Sequence, residues 1–125
     1  MERDDMLRRL LLPLALGGTL LVAAAAGQAG TASTGLVGEV GPGFTIEVKL
    51  NGKDLKTIKA GTYKIKVEDK SSIHNFHLIG KGLNKATTVA GTGTKTWTIT
   101  LKPGKVVYQC DPHHLSGMKG TFRVT

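Results

Sequence analysis

The chain contains a single cysteine, Cys110, among 125 residues. A lone cysteine excludes a disulfide within the chain. In an exported protein it would be a buried thiol, a bridge to another molecule or a metal ligand. Aromatic residues are also scarce, at 5% of the chain. Lysines stand singly along the chain, and few aromatic residues lie between them. We therefore do not expect a nucleic-acid-binding surface.

Acidic residues are in the minority, since 9 Asp and Glu stand against 17 Lys and Arg and leave a formal net charge of +8. Such an excess of positive charge could bind an acidic protein partner or an anionic surface. The scattered lysines are more simply explained as the solvated face of alternating strands.

The first 29 residues have the pattern of an export signal. A polar segment containing Arg3, Arg8 and Arg9 precedes an apolar run from Leu10 to about Gly27, and small residues surround the end of that run. The run is at the short end of what spans a bilayer, and proline and glycine interrupt it, so a retained anchor is disfavoured. We therefore predict a periplasmic, extracellular or cell-surface protein with no stable membrane span after cleavage.

Residues 30–43 are rich in Gly, Ser, Thr and Ala, which predicts a flexible linker with one short strand at most. Residues 44–125 then form the single predicted domain. Apolar and polar residues alternate there in short runs separated by turn residues, and no run is typical of a helix. The predicted strands cover residues 44–50, 55–58, 63–68, 73–79, 94–101, 106–110 and 120–124. About seven strands indicate an all-β, antiparallel Greek-key β-sandwich.

Cys110 shares a short segment with His113 and Met118, in the spacing Cys-x2-His-x4-Met. A thiolate, an imidazole and a thioether form the ligand set that copper prefers over calcium, magnesium or manganese. The predicted strands place this segment in the loop between the last two strands, where a rigid sheet would hold both ends of the loop. The segment therefore predicts a metal site.

This segment, together with His74-Asn75 upstream, resembles the type 1 copper site of cupredoxins, the blue copper proteins, and is most similar to the plastocyanin and pseudoazurin group. The resemblance covers residues 44–125. It implies one copper ion cycling between Cu(I) and Cu(II), with His74, Cys110 and His113 as ligands and Met118 as a weak axial ligand. It also implies that Asn75 ties the two ligand segments together.

Two other histidines compete for the ligand positions. On an unbroken strand over residues 73–79, His74 and His77 would point to opposite faces. His74 is favoured because an asparagine follows it, as in the family. His113 is favoured over His114 because Pro112 precedes it, also as in the family. Replacement of an assigned ligand by His77 or His114 remains open at this point.

One such site in one domain predicts an exported electron carrier that transfers single electrons between redox partners. The alternative is a copper-binding module that stores, delivers or senses copper without shuttling electrons. We do not expect an enzyme, because the copper enzymes of this family need further copper centres and more than one such domain, whereas only His77 and His114 are spare here. The expected partners are the copper ion and redox proteins, with an acidic surface as one option.

Overall fold

The computed structural model describes residues 32–125, with side chains from residue 35 onward. The predicted export signal, residues 1–29, lies outside this part of the chain. No helix within it is long and apolar enough to cross a bilayer. The described elements are β1 (Ala32–Val40), β2 (Ile46–Leu50), β3 (Lys53–Asp54), β4 (Thr57–Ile58), β5 (Gly61–Asp69), β6 (His77–Gly80), β7 (Leu83–Ala86), β8 (Gly93–Leu101), β9 (Gly104–Gln109), a 3₁₀ turn (His114–Ser116) and β10 (Lys119–Val124).

The strands form two five-stranded sheets, which confirms the predicted all-β sandwich. The strand order is β3-β2-β1-β5-β8 in one sheet and β4-β10-β9-β6-β7 in the other. The sheets are mixed rather than wholly antiparallel, because β1 runs parallel to β5 and β4 runs parallel to β10. The ten described strands exceed the seven expected, since two-residue strands such as β3 and β4 are too short to show a period of two.

The prediction of a flexible linker over residues 30–43 is wrong for residues 32–40, which form β1. This strand lies between β2 and β5, and its residues Leu36 and Val40 are buried in the core. The small residues of this segment do not show the apolar alternation that predicts a strand. The strand forms because it pairs with a neighbour on each edge, not because of its own apolar content. Gly38 leaves space for the ring of Phe76, since a Cβ at this position would overlap that ring.

Three further strand boundaries differ from the prediction. The strand expected over residues 73–79 begins only at His77, so His74 lies in the preceding connection. β2 begins at Ile46, which leaves Phe44 outside the strand and exposed rather than on its apolar face. The connection expected from residue 80 to 93 contains β7, which completes a hairpin with β6.

A buried aromatic ring joins the two sheets beneath one end of the sandwich. Phe76 is fully buried, and its ring centroid lies 6.2 Å from that of Trp97 and 6.4 Å from that of Tyr108. Trp97 and Tyr108 are partly buried and pack against the core. Burial of such rings is a large part of the hydrophobic stabilisation of a small domain.

The strand pairings separate the connections into two groups at opposite ends of the sandwich. One end contains residues 41–45, 70–76, 87–92 and 110–118, and the other contains residues 51–52, 59–60, 81–82 and 102–103. The predicted ligands all lie in the first group of connections.

We expect Gly38→Ala to lower the free energy of unfolding by about 1–3 kcal/mol, because the added methyl group would have to displace the Phe76 ring from a close-packed core. Gly43→Ala is the matched control, since a Cβ at Gly43 has no atom within 4 Å. Urea unfolding of both variants measures the difference. Equal stabilities would show that β1 and Phe76 are not packed as described.

Candidate metal centre

Three of the predicted ligands converge at one point. Nδ1 of His74 lies 3.0 Å from Nδ1 of His113, and the Cys110 Sγ lies 3.6 Å from the first nitrogen and 3.5 Å from the second. Two imidazole lone pairs at this distance repel each other unless a proton or a cation lies between them. Within the described residues, these three side chains form a group that could hold a metal ion.

The triangle of donor atoms has the size that one metal ion requires. Bonds of about 2.0 Å to nitrogen and about 2.3 Å to sulfur, at tetrahedral angles, separate two nitrogens by about 3.3 Å and nitrogen from sulfur by about 3.5 Å. The two distances between sulfur and nitrogen match these values, and the distance between the two nitrogens is slightly shorter. Two imidazoles, a thiolate and a nearby thioether are the donor set of type 1 copper. The residues present therefore fit a type 1 copper site.

Backbone hydrogen bonds shape the loop that carries Cys110, His113 and Met118. The Cys110 N–H donates to the carbonyl of Met118 (3.0 Å), and the His113 carbonyl accepts from the N–H groups of Ser116 (2.9 Å) and Met118 (3.3 Å). Gly117 has φ 99°, a left-handed conformation that glycine adopts without strain. These bonds bring Met118 back to the first residue of the loop, and its side chain is buried.

The ligands differ in their exposure. His74 and Cys110 are fully buried, Met118 is nearly so, and His113 is partly exposed. Nε2 of His74 has no hydrogen-bond partner among the described residues, and the Nδ1 atom of the same ring faces the other ligands. His113 is therefore the most exposed of the four side chains.

Phe44 covers the two histidine rings, which the sequence analysis did not foresee. Its ring centroid lies 4.9 Å from that of His74 and 5.0 Å from that of His113, both in edge-to-face geometry. Phe44 is nevertheless 64% exposed, because it stands at the surface in the connection between β1 and β2. The only sequence signal is an apolar residue after Gly43, in a connection with two glycines and a proline.

Asn75 joins the two ligand segments, as the family resemblance implied. Its Oδ1 accepts from the N–H of Asp111 (2.7 Å), and its Nδ2 donates to the Asp111 carboxylate (2.9 Å). Nδ2 also lies 3.4 Å from the carbonyl oxygen of Thr87. Because Asn75 follows His74 and Asp111 follows Cys110, this pair of bonds fixes the two ligands relative to each other.

Thr87 holds the same segment from the other side. Its hydroxyl accepts from the Phe76 N–H (2.8 Å) and donates to the buried Asp69 carboxylate (2.9 Å). Its own N–H donates to the carbonyl of Phe76 (3.0 Å). Nothing in the local sequence marks Thr87, one of several threonines in its connection, as a hydrogen-bonding partner of residue 76.

Neither competing histidine belongs to the group of converging donors. His77 places Nδ1 2.8 Å from an Asp111 carboxylate oxygen and Nε2 2.6 Å from the Asn84 side-chain oxygen. His114 places its Nδ1 2.8 Å from the carbonyl oxygen of Asp111. Both side chains therefore contact Asp111, the residue after Cys110, rather than the thiol itself.

Asp111 is the centre of a hydrogen-bonded group at the rim of the site. Burial would raise the pKa of its carboxyl, but hydrogen bonds from Gln109, Asn75 and His77 outweigh that effect and lower the pKa to about 2. Burial would likewise lower the pKa of His77, yet its bonds to Asp111 and Asn84 raise it above 6.5. Both ring nitrogens of His77 face acceptors, which is the geometry of an imidazolium ion.

The two mixed sheets have the fold of the cupredoxins. The ligands at one end of the sandwich form a donor set that fits type 1 copper. The chain is similar to rusticyanin from Thiobacillus ferrooxidans, with a TM-score of 0.51 and 20% identity over 72% of this chain and 75% of that one. A rusticyanin variant gives a TM-score of 0.55 and 21% identity over 72% of this chain and 76% of that one.

The chain is similar as well to dithionite-reduced auracyanin from Roseiflexus castenholzii. The TM-score is 0.52 and the identity 22%, over 77% of this chain and 99% of that one. No protein-family model and no curated protein matches the chain. At these identities the likeness establishes the fold, and the chemistry of the site depends on the residues described above.

We expect Asn75→Ala to destabilise the metal-free protein by about 1–3 kcal/mol, because it leaves the Asp111 N–H and carboxylate without their buried partner. Asn84→Ala removes an exposed amide from the same group and should cost about 0.5 kcal/mol or less. Chemical denaturation at neutral pH measures both. Similar losses in the two variants would contradict the role given to Asn75.

The His77 imidazole should titrate above 6.5, and Asp111→Asn should bring its pKa back down. Because the pKa is raised in the folded state, the stabilisation from this pair is fully present below pH 6.5 and is lost as the pH rises through the folded-state pKa. NMR titration of the His77 ring protons in the two proteins measures the shift. A His77 pKa that is identical with and without the Asp111 carboxylate would refute the pairing.

Proposed function

We propose that this chain is an exported protein that binds one copper ion through His74, Cys110, His113 and Met118 and transfers single electrons between redox partners. The convergence of two imidazole nitrogens and a thiol sulfur within 3.6 Å of one another carries this proposal. The fold shared with rusticyanin, which is described as a copper protein, supports it.

Copper bound by these donors would supply one-electron exchange between Cu(I) and Cu(II), since both oxidation states accept this ligand set. The protein contributes rigidity. The Cys110 N–H is bonded to the Met118 carbonyl, and the Asn75 side chain is bonded to Asp111, so the ligands have little freedom to move. A small change of geometry between the two oxidation states favours fast electron exchange.

His113 is the ligand through which an electron would leave or enter. It is the only one of the four that is partly exposed. The exposed large apolar side chains of the described residues all belong to the four connections at this end, namely Phe44, Ile73, Val89 and Leu115. An apolar surface around a partly exposed ligand suits the docking of a redox protein, because contact there excludes water between donor and acceptor.

Burial of the other ligands disfavours copper delivery as the function. His74 and Cys110 have no solvent-accessible surface, and Met118 has 3%. Release of copper to an acceptor by ligand exchange would require opening of a loop that is closed by its own backbone hydrogen bonds. An electron, in contrast, can pass through His113 while the loop stays closed.

The Cys110→Ser variant should lose the intense visible absorption that a thiolate–Cu(II) bond produces in the wild type. His74→Ala should lose or strongly alter it. His77→Ala and His114→Ala are matched controls, because these histidines bond to Asp111 and not to the converging donors, and both should keep the band. Copper analysis with visible and electron paramagnetic resonance spectra provides the measurement. A Cys110→Ser protein with the wild-type spectrum would disprove the assignment.

Electron self-exchange distinguishes an electron carrier from a storage or delivery protein. Line broadening in NMR spectra of mixed Cu(I) and Cu(II) protein reports the exchange rate. Fast exchange supports the proposal. Slow exchange combined with ready loss of copper to a chelator would favour storage or delivery instead.

A further inference from the structure

Lysines gather at the end of the sandwich that lies opposite the metal centre. Each of the four connections there contains or directly adjoins an exposed lysine. We call this region the lysine end and define it by Lys53, Lys59, Lys81 and Lys102. Lys102 extends its Nζ to the turn at Gly82, so the connections that carry Lys81 and Lys102 lie beside each other.

These lysines lack the ion pairs that other lysines make. The lysine–carboxylate pairs formed among the described residues use Lys49, Lys66 and Lys70, none of which belongs to the lysine end. Asp54 is the acidic side chain next to this region in the described chain. Like charges held together without counterions raise the energy of the free protein, so an anionic partner would gain from neutralising them.

The neighbouring strands add further positive charge to this region. Lys105 on β9 lies directly opposite Arg123 on β10, and both are exposed. A like-charged cross-strand pair costs stability in an isolated sheet. The cost is offset when an anion binds beside the pair.

The turns that carry the lysines are held in place. The Tyr63 hydroxyl donates to the carbonyl of Lys59 at 2.7 Å, and the Ala60 N–H donates to the carbonyl of Thr125 at 2.9 Å. The turns at residues 51–52 and 81–82 each join two strands that pair with each other. The lysine end is therefore a surface of fixed shape rather than a set of independent side chains.

The chain enters the fold at this same end. Ala32, the first residue of β1, pairs with Tyr63 near the start of β5. Only residues 28–31 separate it from the apolar run between Leu10 and Gly27. Four residues span at most about 14 Å. If that run is retained as an anchor instead of being cleaved, the lysine end is the part of the domain held nearest to the lipid headgroups.

We propose that the lysine end binds the anionic surface of a membrane, so that the metal centre points away from the lipid and stays open to partners. Juxtamembrane groups of four or more basic residues bind anionic lipid, with each residue contributing about a fivefold increase in affinity. Proximity to the apolar run favours a membrane over an acidic protein as the occupant.

Vesicle binding by the full chain tests this proposal. One set of vesicles contains phosphatidylcholine alone, and the other also contains phosphatidylglycerol. The apolar run binds both, so the ratio of the two affinities isolates the electrostatic part. The wild type should prefer the anionic vesicles by about tenfold or more at low salt, and high salt should remove that preference.

The lysine-end variant combines Lys53→Gln, Lys59→Gln, Lys81→Gln and Lys102→Gln, and it should lose most of the preference. The control variant removes the same charge elsewhere, with Lys64→Gln, Lys66→Gln, Lys85→Gln and Lys95→Gln, and should keep it. Circular dichroism and thermal unfolding confirm that both variants are folded. Absence of a preference in the wild type, or equal loss in the two variants, would overturn the proposal. Neither result depends on copper, so the outcome is separate from that of the proposed electron transfer.

Discussion

The reciprocal hydrogen bonds between Asn75 and Asp111 are the constraint on which the metal centre depends. They link the residue after His74 to the residue after Cys110, although the two lie in different connections. Without this link, each connection could shift independently, and donor atoms that now lie within 3.6 Å of one another would no longer meet at one point. A type 1 site needs such rigidity because its ligands must serve two oxidation states.

The same constraint explains the group of polar residues at the rim. Asp111 directly follows Cys110 and brings a negative charge next to the thiolate. Gln109, Asn75 and His77 surround that carboxylate with hydrogen bonds, which keep it ionised down to about pH 2. When His77 is protonated, which its raised pKa favours, its positive charge offsets that of Asp111. The group therefore holds the loop without leaving an isolated charge beside the metal centre.

The two ends of the sandwich differ in character because they receive different connections. Partly exposed His113 and the exposed apolar side chains belong to one end, whereas the lysine end lies opposite. Most of the strands run between the two ends and alternate in direction along the chain, so successive connections fall mostly at opposite ends. Lysines that are scattered along the chain therefore share one end of the folded domain. The sequence alone shows only the scattering, which is why it indicated no more than a solvated basic face.

Much of the centre could be predicted because it is local. Cys110, His113 and Met118 lie within nine residues of one loop, so their chemistry and spacing are visible in the sequence, and period-two alternation indicated the sandwich. The strand predicted over residues 73–79 begins only at His77, and the predicted linker contains β1, because strand boundaries depend on pairing between distant segments.

The sequence by itself therefore determined the kinds of donor atom, their order along the loop and the class of fold. Only the tertiary structure decided that His74 rather than His77 meets Cys110, that Phe44 covers both histidine rings and that four separate lysines share one end. The physical reason is that donor chemistry belongs to single residues, whereas convergence depends on where each strand starts and which strand lies beside it.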